Sequence, residues 1–178
     1  PAIASGNCVV AKPSEVTPMT AYLFSKLCIE AGMPAGVLNI VHGLGAKVGA
    51  AITVHPKIKA ISFTGGTATG EHIARTAAPM FKKLSLELGG KNPFVVWEDA
   101  NLNLAVKWAV LSAFSNAGQR CAAGSRILIH SNIYEKFKKL FVDATKKMKI
   151  GNDDNSDLGP VINQRQYDNI NKYISEAI

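Results

Sequence analysis

The chain has 178 residues and a formal net charge of +7, with 47% hydrophobic and 19% charged residues. These values are ordinary for a folded globular protein, and the length suffices for one substantial domain or two small ones, so intrinsic disorder is excluded. The lysines and arginines are scattered and no apolar run reaches about 18 residues, so neither a nucleic-acid partner nor a membrane-spanning helix is expected.

The first half of the chain alternates short apolar runs with helical patterns, which predicts an α/β protein with a parallel sheet. Thr17 is expected to be the N-cap of the first helix, with Pro18 as its first residue. Strands are expected at residues 8–11, 37–41, 58–63 and 83–88, and helices at 17–31, 47–54 and 67–77.

A break is expected at Gly89-Gly90, and the second half continues the α/β pattern. Strands are expected at residues 93–96 and 125–129, and helices at 99–116, at 133–148 and from about 164. The helix over 133–148 has a lysine-rich face, interpreted as solvent-exposed, opposite an apolar face. Because the last helical pattern has no C-cap before Ile178, truncation is expected.

Cysteine and histidine usage argues against disulfides and metals. The three cysteines are an odd number at spacings that fit neither a disulfide framework nor a zinc site, so a reducing, cytoplasmic setting is expected. Cys8 and Cys28 are interpreted as packing residues, in a strand and on an apolar helix face. No metal site is expected, because the four histidines lack ligand spacing, and the first residues do not resemble a signal peptide.

Ligands of open parallel sheets bind beyond the carboxyl ends of the strands, and Lys12 and Glu15 follow the first strand. Together they can reach one polyhydroxyl ligand, with Glu15 accepting hydrogen bonds from ribose hydroxyls. An ordinary surface ion pair in a turn remains the alternative, and from these residues alone it is favoured.

Two glycine turns compete for the role of a phosphate cradle. One spans residues 43–49 as GLGAKVG and the other spans 63–70 as FTGGTATG, each between a predicted strand and a predicted helix. Glycines let backbone amides approach a pyrophosphate at a helix N-terminus. Spacing does not decide between the two turns, and either can be a plain tight turn.

Glu87 and Cys121 are candidates for acid–base and nucleophilic chemistry. Glu87 is flanked by leucines at a strand end, where an apolar setting would raise its pKa and suit it to act as a base. Cys121 follows small residues and Arg120, and the arginine with a possible helix start would stabilise a thiolate. An exposed, idle glutamate and an inert packing cysteine are the alternatives.

At this point four motifs match, in order, those of a known family. They are KPSEVTP from Lys12, FTG from Phe63, LELGGKNP around Glu87 and FSNAGQRCAA around Cys121. The chain resembles the NAD(P)-dependent aldehyde dehydrogenase superfamily over essentially its whole length. The resemblance implies a Rossmann-like sheet with helices on both faces, in a cofactor domain ending near residue 89 (1–89), and the start of a second α/β catalytic domain (90–178).

The resemblance also implies the chemistry. Cys121 would add to an aldehyde to give a thiohemiacetal, and after hydride transfer Glu87 would activate the water that hydrolyses the thioester to a carboxylic acid. The Cys121 amide would supply half of an oxyanion hole. The parts missing on both sides predict little or no turnover from this chain alone.

NAD is the implied cofactor, preferred over NADP because Glu15 would repel a 2′-phosphate. Lys12 and Glu15 would hold the adenosine ribose, and the Phe63 motif rather than the Gly43 turn would handle the phosphates. The implied cofactor residues are Lys12, Ser14, Glu15, Gly43, Gly49, Phe63, Thr64, Gly65, Gly66, Thr69, Leu88 and Gly89. Many members have serine at Gly66, which here offers only its amide.

A homo-oligomer is implied for the full-length protein, and a small-molecule aldehyde is the implied substrate. Two other interpretations stay open. One is a relative that passes the acyl group to coenzyme A or reduces an acyl phosphate, against which Glu87 argues. The other is a nucleotide-binding module without chemistry, against which the intact Cys121 and Glu87 argue.

Overall fold

A computed structural model describes residues 1–177 of the chain. These residues form six strands and six α-helices, which alternate except where two strands and, later, two helices follow each other, and several are joined by short 3-10 or π-helical turns. The strands are β1 (Val9–Ala11), β2 (Leu38–Ile40), β3 (Ala60–Gly65), β4 (Lys83–Leu88), β5 (Asn92–Val96) and β6 (Gly124–Ile129). The helices are α1 (Met19–Glu30), α2 (Ala50–Val54), α3 (Thr67–Ala77), α4 (Leu102–Phe114), α5 (Tyr134–Thr145) and α6 (Gln164–Ala177).

The strands pair in sequence order, and the predicted α/β class is confirmed. β1 pairs with β2 and β5 with β6, both in parallel, while β3 pairs with β4. Among residues 1–177 these ladders occur as three pairs rather than one continuous sheet. Since β1 and β2 have only three residues each, their ladder is short and offers few backbone groups for further pairing.

The chain divides into two compact units, Pro1–Glu87 and Leu88–Ile178. The core of the first unit is small, with Ile61, Ile73 and Ala77 at its centre. The second unit has a larger core, in which Phe137 of α5 is fully buried and contacts the apolar face of α4. This packing confirms the apolar face predicted for α5.

Two local predictions are wrong. The N-cap of α1 is Pro18, not Thr17, and no side chain caps that helix. Cys8 lies before β1 and is exposed, because pairing with β2 begins only at Val9; Cys28 is buried in α1 as predicted. Within residues 1–177, none of the helices combines the length and the apolar character that crossing a bilayer requires.

Candidate active site and cofactor groove

The first unit has a groove of about 480 Å³ where β1 and β2 end. The turn after β1 provides Ser14 and Glu15, and the turn after β2 provides Gly43. Lys12 lies beside it, since its Nζ is 3.5 Å from the carbonyl oxygen of Gly43. The groove is lined by Pro13, Ser14, Glu15, Pro18, Met19, Tyr22, His42, Gly43 and Leu44.

Lys12 and Glu15 form an ion pair at this groove. The Lys12 Nζ is 3.4 Å from the Glu15 carboxylate and 2.6 Å from the carbonyl oxygen of Pro13. Lys12 is mostly covered, with 16% of its side chain exposed, against 46% for Glu15. A hydrogen bond from the Glu15 backbone amide, followed by the bond from Lys12, holds the pKa of the Glu15 carboxyl below its usual value. Glu15 is therefore an anionic acceptor at neutral pH.

Sequence reasoning found only part of this groove. Tyr22 and His42 line it but were not predicted, and Gly49 was predicted but is not among the lining residues. Gly49 lies instead at the end of a π-helical turn that leads into α2. The first turn of α1 follows directly on the Lys12–Glu15 turn, and this proximity was the available signal for Tyr22.

The turn between β3 and α3 is the second element of the first unit's site. Gly66 is the N-cap of α3 with extended backbone, and no side chain among the described residues caps this helix. Its first amide N–H groups are therefore open to a ligand. A Cβ at Gly65 would lie 2.5 Å from the ring of Phe63, so a larger residue there would require that ring to move. Thr64 and Thr69 are exposed beside this turn.

Glu87 lies near the end of β4, where burial alternates from residue to residue. Glu87 is exposed, whereas Leu86 and Leu88 are half-buried, and the next residue, Gly89, is exposed. The apolar surroundings predicted for Glu87 are therefore not found among residues 1–177. The reason is that successive side chains of a strand point to opposite faces, so Glu87 lies on the face opposite to that of Leu86 and Leu88.

In the second unit, Cys121 lies on a loop of residues 115–123 between α4 and β6, here called the cysteine loop. Its thiol is exposed, as predicted. Three consecutive residues, Asn116, Ala117 and Gly118, have φ values of 56°, 55° and 71°. This left-handed stretch ends the helical path of α4 and turns the chain towards β6.

The helix start expected near Cys121 is absent from the described residues, because a turn leads from Arg120 into β6. Arg120 does not face the thiol either. Its guanidinium donates hydrogen bonds to the carbonyl oxygens of Leu111 and Ser112, each at 3.4 Å. The negative end of the α4 helix dipole attracts that cation. The predicted arrangement, with Arg120 and a helix start beside the thiol, is therefore not found among residues 1–177.

The cysteine loop is also held from β5. Asn92, the first residue of that strand, donates a side-chain hydrogen bond to the carbonyl oxygen of Cys121 at 2.5 Å. Within residues 1–177, the amide N–H of Cys121 makes no hydrogen bond. The loop therefore presents a thiol and a free amide donor side by side. Sequence reasoning missed Asn92, which lies 29 residues from its partner.

Comparison with known proteins agrees with these motifs. The model of the aldehyde dehydrogenase family matches residues 1–178. A 2-aminomuconic semialdehyde dehydrogenase from Mus musculus is 48% identical over 99% of this chain, which covers 37% of that protein. A D-glyceraldehyde dehydrogenase (NADP(+)) from Picrophilus torridus is 44% identical over 99% of this chain and 36% of its own length.

Among solved structures, betaine aldehyde dehydrogenase from Staphylococcus aureus in complex with NAD+ superposes with a TM-score of 0.93. It is 41% identical, and the match covers 97% of this chain and 35% of that one. The chain thus spans little more than a third of the length of these relatives. Its motifs, its α/β fold and these matches show that the chain belongs to the aldehyde dehydrogenase family.

Proposed function

We propose that this chain is the part of an NAD-dependent aldehyde dehydrogenase that carries the reactive thiol and the adenosine side of the cofactor site. The observation that carries the proposal is the cysteine loop, where Cys121 is exposed beside its own free amide N–H. In the proposal, residues 1–89 belong to the cofactor domain and residues 90–178 begin the catalytic domain. We further propose a homo-oligomeric, cytoplasmic enzyme when full-length, since the thiols are free and the family tends to oligomerise.

The first unit fits a dinucleotide. The groove beside Lys12 and Glu15 offers an ammonium donor and a carboxylate acceptor, which suit the hydroxyls of an adenosine ribose. The uncapped N-terminus of α3 offers backbone N–H groups to a pyrophosphate, and glycine at position 65 leaves the approach open. Bound NAD would accept the hydride that leaves the substrate carbon. Thr64, Thr69, Leu88 and Gly89 would border this cofactor.

Glu15 supports NAD over NADP. The hydrogen bonds that lower its pKa keep it ionised at neutral pH, and a carboxylate repels the 2′-phosphate that distinguishes NADP. The Picrophilus torridus relative is named for NADP(+), so the preference rests on Glu15 of this chain and not on the family. Substitution of Glu15 by a neutral residue would weaken it.

In the second unit, the thiolate of Cys121 adds to the carbonyl carbon of an aldehyde and forms a C–S bond. The Cys121 amide N–H donates to the oxygen of the resulting thiohemiacetal. After oxidation the carbon remains bound to Sγ as a thioester. Glu87 then takes a proton from a water molecule that attacks this thioester, which releases a carboxylic acid and the free thiol.

Thiol labelling tests this proposal. The chain is treated with iodoacetamide, with and without NAD+, NADP+ or an aldehyde, and labelling of the three cysteines is quantified by mass spectrometry. We expect the aldehyde to protect Cys121 but not Cys8, although both are exposed. We also expect NAD+ to change the labelling rate of Cys121 at a lower concentration than NADP+.

Cys8 is the internal control for an exposed thiol and Cys28 for a buried one. The Cys121→Ser variant should remove the protected thiol and leave the labelling of Cys8 unchanged. Equal behaviour of Cys8 and Cys121, with no response to aldehyde or cofactor, would contradict the proposal and favour a fold relative without chemistry.

A further inference from the structure

We propose that Asn92 is a positioning residue for the Cys121 nucleophile, an inference that rests on the proposed function. Its side-chain amide donates to the carbonyl oxygen of Cys121 at 2.5 Å, with a second, longer approach to the carbonyl oxygen of Ala123 at 3.5 Å. One side chain of β5 therefore contacts the backbone of the cysteine loop on both sides of residue 122.

The strand register places Asn92 for this role. Asn92 is paired with Gly124, the first residue of β6, and the register shifts immediately after it, so that Pro93 is opposite Arg126. The side chain of Asn92 thus lies where the cysteine loop enters β6. An asparagine at an ordinary strand start would donate to water instead.

The neighbouring glycine keeps this contact open. A Cβ at Gly90 would lie 3.0 Å from the Cys121 carbonyl oxygen and 3.0 Å from the Asn92 side-chain nitrogen. Both distances are closer than side-chain carbons normally approach, so a larger residue would push the two partners apart. Both Gly90 and Asn92 therefore lie against the carbonyl oxygen of Cys121.

Other contacts tie the two ends of the cysteine loop to α4. At one end, the left-handed Gly118 packs against the carbonyl of Ala113, and a Cβ there would be 2.8 Å from that oxygen. At the other end, the amide of Gly124 donates to the Ser112 hydroxyl at 3.0 Å. Among residues 1–177, the Asn92 bond alone acts directly on the backbone of Cys121.

Holding the Cys121 carbonyl restricts rotation about the backbone of that residue. With the peptide plane after Cys121 held in place, the Cα–Cβ bond, and so Sγ, keeps a fixed direction within the cysteine loop. Addition to a carbonyl needs both groups in place, the sulfur at the carbon and the N–H at the oxygen. Simple alkylation needs only an accessible thiol. Asn92 should therefore matter for the first reaction and not for the second.

The test compares two reactions of the same sulfur in the 178-residue chain. p-Nitrophenyl acetate acylates the sulfur: the thiolate adds to the ester carbonyl, a C–S bond forms and p-nitrophenolate leaves. Iodoacetamide alkylates it by displacement of iodide. We expect Asn92→Ala and Asn92→Asp to lower the acylation rate of Cys121 by about tenfold, because misplacing a reacting group has effects of this size or larger. Alkylation should change by less than about twofold, since the thiol stays exposed.

Asn92→Asp is the decisive variant because it keeps the size of the side chain and replaces the donor with a carboxylate oxygen. Asn132→Ala is the matched control in the same unit, as Asn132 donates to Glu98 and not to the cysteine loop. Protection of the buried Cys28 from labelling in every sample, together with the thermal unfolding curve, reports the fold. If Asn92→Ala does not fold, the aspartate variant alone decides.

A wild-type acylation rate at Asn92→Asp would overturn the proposal, because it would reduce Asn92 to a space-filling residue. Losses in acylation no larger than those in alkylation, in both variants, would also overturn it, because alkylation already reports any change in exposure or in the thiolate fraction, which the carboxylate of Asn92→Asp can lower. Failure of the proposed function looks different. In that case wild-type Cys121 itself would be acylated no faster than Cys8.

Discussion

The groove at Lys12 and the cysteine loop at Cys121 hold their functional groups by different means. In the groove, Lys12 and Glu15 pair over 3.4 Å, and in the turn that follows it a Cβ at Gly45 or Gly49 would meet nothing within 4 Å, although one at Gly43 would lie 2.5 Å from Val48. In the cysteine loop, Asn92, Ser112 and Arg120 bond to backbone groups, and three residues have positive φ.

The difference matches the task proposed for each region. A ribose is bound through several hydroxyls, and the two side chains of an ion pair can adjust their positions to hydrogen-bond with them. A nucleophile must be aligned with one carbon atom, and misalignment costs rate directly. A glycine-to-alanine substitution should therefore change the free energy of unfolding in opposite directions in the cysteine loop and in the turn that leads from the groove into α2.

In the cysteine loop, Gly118→Ala should destabilise the protein strongly. The residue has φ of 71°, and its new Cβ would lie 2.8 Å from the carbonyl oxygen of Ala113, a backbone atom that cannot rotate away. We expect the free energy of unfolding to fall by about 2 kcal/mol or more, since left-handed backbone alone costs an alanine about 1–2 kcal/mol. Urea unfolding of the two proteins measures this loss.

The neighbouring Ala117 provides the matched control, with φ of 55° and the same handedness. Ala117→Gly removes the steric penalty, so it should leave stability unchanged or raise it. Loss of stability in both variants, or in neither, would show that backbone conformation does not restrict the cysteine loop.

In the π-helical turn that leads from the groove into α2, Gly49→Ala should change stability in the opposite direction. Gly49 has helical backbone, with φ of −61° and ψ of −44°, and a Cβ there meets nothing within 4 Å. Alanine is favoured over glycine in helices, so we expect a gain of about 0.5–1 kcal/mol in the free energy of unfolding. NAD+ affinity, measured by titration calorimetry, should not change, because Gly49 does not line the groove.

A large drop in NAD+ affinity for Gly49→Ala would restore the binding role that the sequence predicted for this glycine. Lower stability would instead mean that the helical turn before α2 is packed more tightly than the structure describes. Either result would mean that the backbone next to the groove is held as tightly as the backbone of the cysteine loop.

The features that the sequence predicted best are those set by residues a few positions apart in the chain. The Lys12–Glu15 pair and the β3–α3 glycine turn follow from spacing within a few positions, and the elements lie close to their predicted bounds. The exposed thiol follows from the small residues around Cys121.

Contacts between distant segments were not predicted. His42 reaches the groove, and Asn92 reaches the Cys121 carbonyl, only because parallel strands bring separate segments together. The helix start near Cys121 failed for a different reason. Asparagine tolerates the left-handed backbone found at Asn116, but alanine does not favour it, so the left-handed Ala117 was not predictable from its residue type.

The smallest expected effect concerns the ion pair at the groove. Lys12→Met should raise the pKa of Glu15 towards the ordinary glutamate value of about 4.3, because it removes the Lys12 hydrogen bond that helps lower that pKa. The shift should be partial, since the bond from the Glu15 backbone amide is the larger cause and remains. The carboxyl carbon of Glu15, followed by NMR during an acid titration, reports it directly.

Because the pKa of Glu15 is lower in the folded than in the unfolded state, its ionisation stabilises the fold in a pH-dependent way. The stabilisation by the Glu15 carboxylate is present above the unfolded pKa and is lost as the pH falls through the lowered folded value. In Lys12→Met this loss should begin at the same pH, set by the unfolded pKa, but should be smaller and complete at a higher pH than in the wild type. With 46% of the Glu15 side chain exposed, water screens the interaction, so the unfolding midpoint should move little. A midpoint that drops sharply at neutral pH would instead mean that Lys12, through its bonds to Pro13 and Gly43, supports the groove backbone as rigidly as Asn92 is proposed to support the cysteine loop.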